Sequence, residues 1–263
     1  MRRLVGGIIR ANNAFNFIKD GDKIGVGVSG GKDSTLLLMA LKHYANFMKH
    51  KKGWNIEIHG VHIVMNYYKN INYTKYKQWL KDNDLKVKFI NSTVGDALKA
   101  KLSRTGKVQC SLCAKLKKAI MVKEAKKMGI NKLATGHHVD DAIETFFMNM
   151  INEGRLATFM PDNFFDRNDI HLIRPFILIK ESDTIAISKK LKIPVIKHSC
   201  PNETTTQRQY VKDFINSNFY TNPKFKASLR NFQVALLNGK QSQLWFDAKG
   251  KKKDLLGKSY RNH

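Results

Sequence analysis

The stretch Ile24-Gly-Val-Gly-Val-Ser29-Gly-Gly-Lys-Asp-Ser34 decides the fold that this sequence predicts. It runs from an apolar, strand-like segment through a glycine turn into a helical pattern. Glycine carries no Cβ, so a phosphate oxygen can approach the backbone of the turn closely. The helix that follows presents free N–H groups and a positive dipole end to the same point. We therefore predict a phosphate-binding loop formed by Ser29, Gly30, Gly31, Lys32, Asp33 and Ser34.

Two better-known phosphate motifs are excluded. Gly25, Gly27 and Gly30 have the G-x-G-x-x-G spacing of dinucleotide-binding proteins. The first two glycines, however, alternate within the strand, and no acidic residue ends the next predicted strand to hold a ribose. A Walker loop would need glycine in place of Val26 and Ser or Thr in place of Asp33. The loop belongs to a different phosphate-binding class.

Strand-like and helix-like segments alternate through the first part of the chain. Strands are predicted at residues 23–29, 56–65, 86–90 and 132–136, and helices at residues 34–50, 71–82 and 112–128. This order predicts an α/β fold in which a parallel sheet is covered by helices on both faces. Residues 155–181 are expected to be irregular, apart from a short strand at residues 171–174.

The predicted organisation has four parts. An ATP-binding catalytic domain is expected at residues 20–200, after an N-terminal helix at residues 1–19. A small helical extension at residues 201–248 and a basic tail at residues 249–263 follow. The tail has no periodicity, which is typical of a phosphate-seeking arm or of a solvated terminus.

The chain is strongly basic. It has 47 Lys and Arg against 21 Asp and Glu, a net charge of +26. Compositional drift usually raises Glu together with Lys, and here acids stay scarce. No long basic amphipathic helix with an aromatic face indicates an anionic membrane as partner. The charge therefore favours a nucleic acid as partner.

The sequence predicts a cytoplasmic protein without membrane contact. No apolar run approaches the roughly 20 residues that a bilayer requires. The apolar N-terminal stretch stops at Arg10, which is too short for a signal sequence. In a reducing compartment cysteines act as ligands or nucleophiles more often than as disulfide partners.

Cys110, Cys113 and Cys200 are the three cysteines of the chain. Cys110-Ser-Leu-Cys113 opens a predicted helix and presents two thiols to a single ion or cluster. Three cysteines without a fourth are compatible with an iron–sulfur cluster that has one open iron, with a Cys₃His zinc site that uses His198, or with a redox pair plus a bystander. Spacing alone leaves these three open.

An acidic segment follows a predicted strand and begins an amphipathic helix. Its residues Gly136, His137, Asp140, Asp141 and Glu144 lie outside the apolar stripe. We expect His137, Asp141 and Glu144 to share one helical face at i, i+4 and i+7. The segment is compatible with a Mg²⁺ site at the carboxyl edge of the sheet, and equally with acids that only complement a helix dipole.

These motifs resemble those of the PP-loop ATP pyrophosphatases, whose mark is S-G-G-x-D-S. Enzymes of this class split ATP between its α and β phosphates and transfer adenylate to an oxygen of the substrate. The resemblance implies that residues 29–34 bind ATP together with Gly136 and His137, and that Asp33, Asp140 and Asp141 serve catalysis and Mg²⁺ binding.

The order of the motifs is similar to that of tRNA 2-thiocytidine synthetases over residues 20–215, including Arg174-Pro175 and the stretch from Thr205 to Arg208. The zinc-ribbon cysteines of the related 2-thiouridine enzymes are not found at the N-terminus. The resemblance implies sulfur transfer to an anticodon-loop cytidine.

In the 2-thiocytidine family three cysteines hold a [4Fe–4S] cluster whose fourth iron is free of protein. The resemblance implies Cys110, Cys113 and Cys200 as these ligands, which uses every cysteine of the chain. The family's frequent second C-x-x-C around the late cysteine is missing, because Pro201-Asn-Glu follows Cys200.

The implied partners are tRNA, ATP, Mg²⁺, and a sulfur donor such as a cysteine desulfurase or free sulfide. A second copy of the chain in a homodimer is left open. Two other functions are compatible with part of these features. A ligase like lysidine synthetase needs no cluster, and a non-catalytic iron–sulfur RNA-binding protein needs no intact phosphate loop.

Overall fold

The computed structural model describes residues 1–66, 71–99, 110–196, 207–225 and 227–237 of the chain. The chain divides into two compact units. The sheet unit consists of residues 1–139 and 161–205, and the helical unit of residues 140–160 and 206–263.

A six-stranded sheet forms the sheet unit. Its order is β3-β2-β1-β4-β6-β5, and every neighbouring pair is parallel except β5 and β6. The prediction of an α/β fold with a parallel sheet is confirmed. The strands are β1 (Lys23–Gly27), β2 (Glu57–Met65), β3 (Val87–Ser92), β4 (Lys132–Ala134), β5 (Asp162–Phe165) and β6 (Ile170–Ile173).

The short strand predicted at residues 171–174 is found as β6, shifted by one residue, whereas β5 lies where irregular structure was expected. β5 and β6 form an antiparallel hairpin around the short 3₁₀ turn Asp166–Asn168. β5 has only four residues, and alternation over so few residues carries too little signal to separate this strand from a loop.

Nine α-helices lie in the described part of the chain, and the short α4 was not predicted. None of these helices is both long enough and apolar enough to cross a membrane. The helices are α1 (Arg2–Phe15), α2 (Lys32–Lys52), α3 (Thr74–Asp82), α4 (Val94–Lys99), α5 (Cys110–Lys127), α6 (Val139–Glu153), α7 (Glu181–Lys190), α8 (Gln207–Ile215) and α9 (Ser228–Leu237).

Helices α2 and α5 cover opposite faces of the sheet. A Cβ at Gly27 would lie 3.3 Å from the Met121 methyl group of α5. A Cβ at Gly60 would lie 3.0 Å from Cδ2 of Leu38 in α2. Gly60 is the register partner of Val26, which faces away from the side that Gly27 faces because strand side chains alternate. α2 and α5 therefore pack on opposite faces, and the prediction that helices cover both faces of the sheet is confirmed.

The same packing explains the alternating glycines that imitate a dinucleotide motif. A Cβ at Gly25 would lie 2.9 Å from Cδ1 of Ile130, and Gly27 faces the same side. Glycine at both positions lets α5 and the residues after it approach the central strand closely. Gly25 and Gly27 therefore serve packing within the sheet unit.

Partly exposed aromatic rings form a cluster within the helical unit. The Phe219 ring lies 6.1 Å from that of Phe147 in α6 and 5.5 Å from that of Phe232 in α9, measured between centroids. Phe214 and Phe225 also pack against Phe219, at 6.0 and 5.6 Å. Edge-to-face pairs of this kind add stability beyond the area that they bury.

Two neighbouring glycines in α1 provide a test of the packing. A Cβ at Gly7 would lie 2.5 Å from Cγ1 of Ile179, which is buried, so Gly7→Ala is expected to lower the free energy of unfolding by about 1–3 kcal/mol. At Gly6 the nearest atom outside the helix backbone would be 3.7 Å away. Gly6→Ala should therefore raise it by up to about 1 kcal/mol, because alanine favours a helix interior. Urea unfolding measures both, and effects of equal sign would contradict this packing.

Candidate active site

The phosphate loop predicted at residues 29–34 leaves the end of β1 as a closed turn. The Ser29 amide donates to Ser34 Oγ at 3.1 Å, and the two serine hydroxyl oxygens are 3.0 Å apart. Ser34 Oγ also donates to the Gly31 carbonyl at 3.2 Å. The two serines therefore hold the turn in shape through their own hydroxyls.

Gly30 is the residue that allows this turn. Its φ of +88° lies in the left-handed region, and an added Cβ would lie 2.4 Å from Cδ1 of Ile196. The Ile196 amide donates to the Gly30 carbonyl at 2.9 Å. The segment that precedes Cys200 in sequence is thus bonded to the phosphate loop.

The first turn of α2 is arranged to receive an anion. The helix begins at Lys32, and no described side chain caps its N-terminus at Gly31. The amide groups of a helix N-terminus and its dipole attract negative charge. Lys32 Nζ adds a positive charge that lies 2.7 Å from Asp33 Oδ2 and 3.3 Å from Glu181 Oε1.

Asp33 has one carboxylate oxygen in use and one without a partner. Oδ2 accepts from Lys32, whereas Oδ1 is buried and has no hydrogen-bond partner among the described residues. Burying an oxygen of an ionised carboxylate without a partner is costly. Such an atom in a nucleotide loop fits a site completed by a cation or by a hydrogen-bond donor.

Gly136 packs against the phosphate loop. A Cβ at Gly136 would lie 3.0 Å from the backbone carbon of Asp33 and 3.1 Å from the Ser34 nitrogen. The neighbouring His137 has its Nδ1 2.9 Å from Thr135 Oγ1. The structure therefore brings Gly136 to the start of α2, as expected of a residue that helps to form the nucleotide site.

The expected helical face of His137, Asp141 and Glu144 is wrong for its first member. α6 begins at Val139, so His137 precedes the helix. The predicted face assumed helical geometry from position 137 onwards. Asp141 and Glu144, three residues apart within α6, remain on one face.

Arg208 of α8 binds this acidic face within the helical unit. Its Nη1 lies 3.5 Å from Asp141 Oδ1 and 3.4 Å from Glu144 Oε2, and its Nη2 donates to Thr145 Oγ1 at 3.0 Å. The Glu144 side chain is only 6% exposed. A buried carboxylate needs such a countercharge, so Arg208 ties α8 to the beginning of α6. Asp140 beside it is buried as well.

Cys110 and Cys113 form the first turn of α5. Cys113 packs against a cluster of the buried residues Met65, Val94 and Leu98. The Cys110 side chain lies outside the described residues, as do Cys200 and His198. Among the side chains that are described, no three His, Cys, Asp or Glu residues come together as metal ligands. Two thiols one helical turn apart at a helix N-terminus are nevertheless a donor set that fits an iron–sulfur cluster.

Two cations lie beside the β5–β6 hairpin, Arg174 at the carboxyl end of β6 and Lys118 over the ring of Phe165, which pairs with the first residue of β6. Arg174 directly follows the strand, and burial lowers its pKa to about 10 although Asp162 opposes the shift. Burial and then the charge of Arg174 lower the pKa of Lys118, whose Nζ lies 3.4 Å from the centroid of the Phe165 ring. Arg174 remains charged at neutral pH and adds a positive field at the carboxyl edge of the sheet, where ligands of α/β proteins bind.

Sequence reasoning missed the residues that support the loop from a distance. Glu181, the partner of Lys32, is 149 positions away in the chain, and Ile196 is farther still. The Tyr76 hydroxyl lies 2.6 Å from Thr35 Oγ1, and burial raises the pKa of Tyr76 to about 12. Residue spacing along the sequence does not reveal such contacts, because the fold of the parallel sheet brings together residues that are far apart in the chain.

Comparison with known proteins supports the interpretation of the loop. A family model described as a PP-loop domain matches residues 8–219. The tRNA-cytidine(32) 2-sulfurtransferase of Geobacter sulfurreducens is 31% identical over 87% of this chain and 87% of its own length. The protein of the same name from Bdellovibrio bacteriovorus is 32% identical over 90% of this chain and 88% of its own length.

One solved structure shares the fold. The U34-tRNA thiolase NcsA from Methanococcus maripaludis, solved with its [4Fe-4S] cluster, matches with a TM-score of 0.62 and 19% identity. The match covers 89% of this chain and 78% of the thiolase. With the family model and the curated relatives, the chain therefore belongs to the PP-loop family and, within it, to the tRNA-cytidine(32) 2-sulfurtransferases.

Proposed function

We propose that the protein is an ATP-dependent tRNA thiolase that replaces the C2 oxygen of an anticodon-loop cytidine with sulfur, releasing AMP and pyrophosphate. The names of the relatives specify cytidine 32, and we propose the same nucleotide here. The observation that carries the proposal is the phosphate loop. It combines a left-handed glycine with a helix N-terminus that no described side chain caps and a buried Asp33 oxygen that no described residue contacts by a hydrogen bond.

ATP is proposed to bind with its phosphates on residues 29–34. The Lys32 amide and ammonium group offset phosphate charge, and the serine hydroxyls, one of which accepts from the Gly31 amide at 3.3 Å, keep the turn in one conformation. Gly136 and His137 are proposed to complete the pocket, because only a residue without a Cβ allows that loop to approach α2. A preformed anion site lowers the cost of ordering the triphosphate.

Mg²⁺ is proposed to bind near Asp33, Asp140 and Asp141. Oxygen ligands from carboxylates and from the phosphates of a nucleotide are those that Mg²⁺ prefers. The buried Oδ1 of Asp33 supports this role for Asp33. Asp141 shares its charge with Arg208, which weakens its attraction for a cation relative to an unpaired carboxylate.

The reaction is proposed to take place in two substitutions. The C2 oxygen of cytidine attacks the α-phosphorus of ATP and pyrophosphate leaves, which turns a poor leaving group into AMP. Sulfide then attacks C2, and AMP leaves with the original oxygen. No net oxidation or reduction occurs. The positive N-terminal end of α2 and the cationic side chain of Lys32 stabilise the charge that develops on the phosphates.

The cysteines are proposed to hold a [4Fe–4S] cluster. The ligands would be Cys110, Cys113 and Cys200, and the Met65, Val94 and Leu98 cluster beside Cys113 would keep water from one side of the site. When bound, such a cluster supplies a Lewis-acidic iron that carries sulfide. The sulfur donor is proposed to be a cysteine desulfurase or free sulfide, in the cytoplasm.

Simple observations distinguish the two rival functions from the proposed one. A lysidine-type ligase would work without iron, and its product would contain nitrogen in place of sulfur. A non-catalytic RNA-binding protein would release no pyrophosphate in the presence of tRNA. Relatives named as sulfurtransferases and the complete phosphate loop disfavour both.

The products formed from ATP test the class of the phosphate loop. Labelled ATP should give AMP and pyrophosphate in the presence of tRNA, since the loop is of the PP-loop class. Asp33→Ala and Ser34→Ala should each lower pyrophosphate release by at least about 100-fold, because they remove a phosphate-side ligand and the turn's hydroxyl bridge. Thin-layer chromatography separates the products.

The matched control for these variants is Asp166→Ala, which changes an exposed aspartate in the 3₁₀ turn between β5 and β6. It should retain the rate of the unchanged protein. ADP as the main product, or full activity of the Asp33→Ala protein, would show that the loop has another function.

Metal content tests the three cysteine ligands. Protein purified without oxygen should carry about four irons per chain. Cys110→Ser, Cys113→Ser and Cys200→Ser should each lose the iron and 2-thiocytidine formation together, since three ligands leave no spare. Equilibrium binding of ATP should stay within about twofold, because residues 29–34 form a separate element. Iron analysis, tRNA nucleoside mass spectrometry and nucleotide titration measure these three quantities.

A protein with stoichiometric zinc and full thiolation activity would refute the cluster. Thiolation by the Cys200→Ser protein would refute the three-ligand assignment in particular.

A further inference from the structure

A concave basic surface lies beside the edge strand β3, within the sheet unit. A cavity of about 370 Å³ opens between α3 and β3. A second cavity of about 230 Å³ meets it at Asp84, Leu85 and Lys86 and extends towards Lys42 of α2. We call the first cavity the α3–β3 groove; it is lined by Lys77, Leu80, Lys81, Asp84, Leu85, Lys86, Val87 and Phe89.

The groove has a surplus of positive charge. Its aspartate, Asp84, pairs with Lys42 from the second cavity at 2.5 Å. The side-chain hydrogen bond and charge of Lys42 lower the pKa of Asp84, so this acid is ionised and already neutralised. Lys77, Lys81 and Lys86 are exposed and form no ion pair within the described part of the chain. These three positive charges are available to bind an anionic partner.

An aromatic floor orients one of these lysines. Lys77 Nζ lies 4.7 Å from the centroid of the Phe89 ring and 5.9 Å from that of Tyr73. The two rings pack edge to face at 5.6 Å. A cation held over aromatic faces loses less conformational freedom on binding than a solvated lysine does.

The groove lies within reach of a substrate held at the phosphate loop. Val87 in β3 is the register partner of Gly60 in β2, which pairs with Val26 in β1. Ser29 is three residues farther along the chain than Val26. Two strand spacings and three residue rises give a separation of roughly 14 Å between the backbone of the groove and that of the loop. An RNA hairpin easily spans this distance.

Protection of an exposed sheet edge explains only part of this pattern. Lysines at an edge strand discourage pairing with other strands, which accounts for Lys86, directly before β3, and for the exposed Lys88 within it. It does not account for Lys77 and Lys81, which project from α3 into the same cavity. Convergence of a helix and a strand on one concavity favours a bound polyanion.

We propose that the α3–β3 groove binds the phosphate backbone of the tRNA outside the reacting nucleotide. The proposal rests on the proposed function, since it assumes that the polyanion is the tRNA whose cytidine is modified. Phosphates recognised by lysines contribute affinity and orientation and carry no base specificity. The groove thus sets how the tRNA lies while the phosphate loop acts on one base.

The test compares two triple variants. The groove variant is Lys77→Ala/Lys81→Ala/Lys86→Ala. The control is Lys49→Ala/Lys51→Ala/Lys52→Ala, which removes three exposed lysines from the last turn of α2, two of them also over aromatic rings. Filter binding of unmodified tRNA is measured from low to high salt, together with the rate of 2-thiocytidine formation.

The groove variant should bind tRNA at least tenfold more weakly at physiological salt. Its log–log salt slope should fall by about 2–3, because each removed lysine leaves one phosphate without its neutralising charge. KM for tRNA should rise while kcat at saturating tRNA stays within twofold, because the phosphate loop is untouched. The control should change affinity by less than twofold, and replacement of the three groove lysines by arginine should retain binding.

Equal losses of tRNA affinity in the two triple variants would show that binding depends on the overall positive charge and not on the groove, and would overturn the proposal. A groove variant that binds tRNA normally but changes its sedimentation coefficient would overturn it too, because the surface would then be a protein interface. If the unchanged protein forms no 2-thiocytidine while the groove variant still loses tRNA affinity, the proposed reaction fails and the groove assignment stands.

Discussion

The left-handed turn at Gly30 is the constraint on which the candidate site depends. It sends the chain from β1 into α2 with the helix N-terminus open, and it leaves the Gly30 carbonyl free to accept from the Ile196 amide. Gly136 presses on the other side of the same helical turn. Backbone therefore surrounds the first turn of α2 where side chains would otherwise cap it. A Cβ at position 30 would collide with Ile196, and one at position 136 would crowd the backbone of Asp33. Either collision would distort the anion site.

The sequence predicted the elements with long patterns and the short strands β4 and β6, but it did not predict β5, α4 or the contacts between distant segments. β1 and β2 have five and nine residues with strong apolar character, and both were found within two residues of their ends. β5 and α4, with four and six residues, have no comparable signal. The loop motif identified Ser29 to Ser34 because a phosphate site needs small residues at fixed spacing. Ile196 and Glu181 could not be identified, since only the folded sheet brings them to that loop.

The carboxylates of α6 and the carboxylate of Asp33 differ in how far their own units neutralise them. Glu144 is buried and Asp141 largely so, and Arg208 supplies positive charge to both. Asp141 and Glu144 therefore serve as countercharges for Arg208, a role that was not among those predicted from the sequence. Asp33 shares one oxygen with Lys32 and keeps the other without a described partner. Of the three aspartates proposed to bind Mg²⁺, Asp33 therefore offers the clearest unused ligand atom.

The positive charge of the chain acts in two physically different ways. Exposed lysines such as Lys77 and Lys81 attract a polyanion through solvent, so mobile ions screen them over about 8–10 Å. Arg174 is almost fully buried, and its field reaches the carboxyl edge of the sheet through protein, where screening is weak. Added salt therefore weakens attraction to the RNA backbone far more than it weakens the field at the nucleotide site. A protein with this arrangement can release its tRNA by counterion competition while the phosphate loop keeps its affinity for a nucleotide.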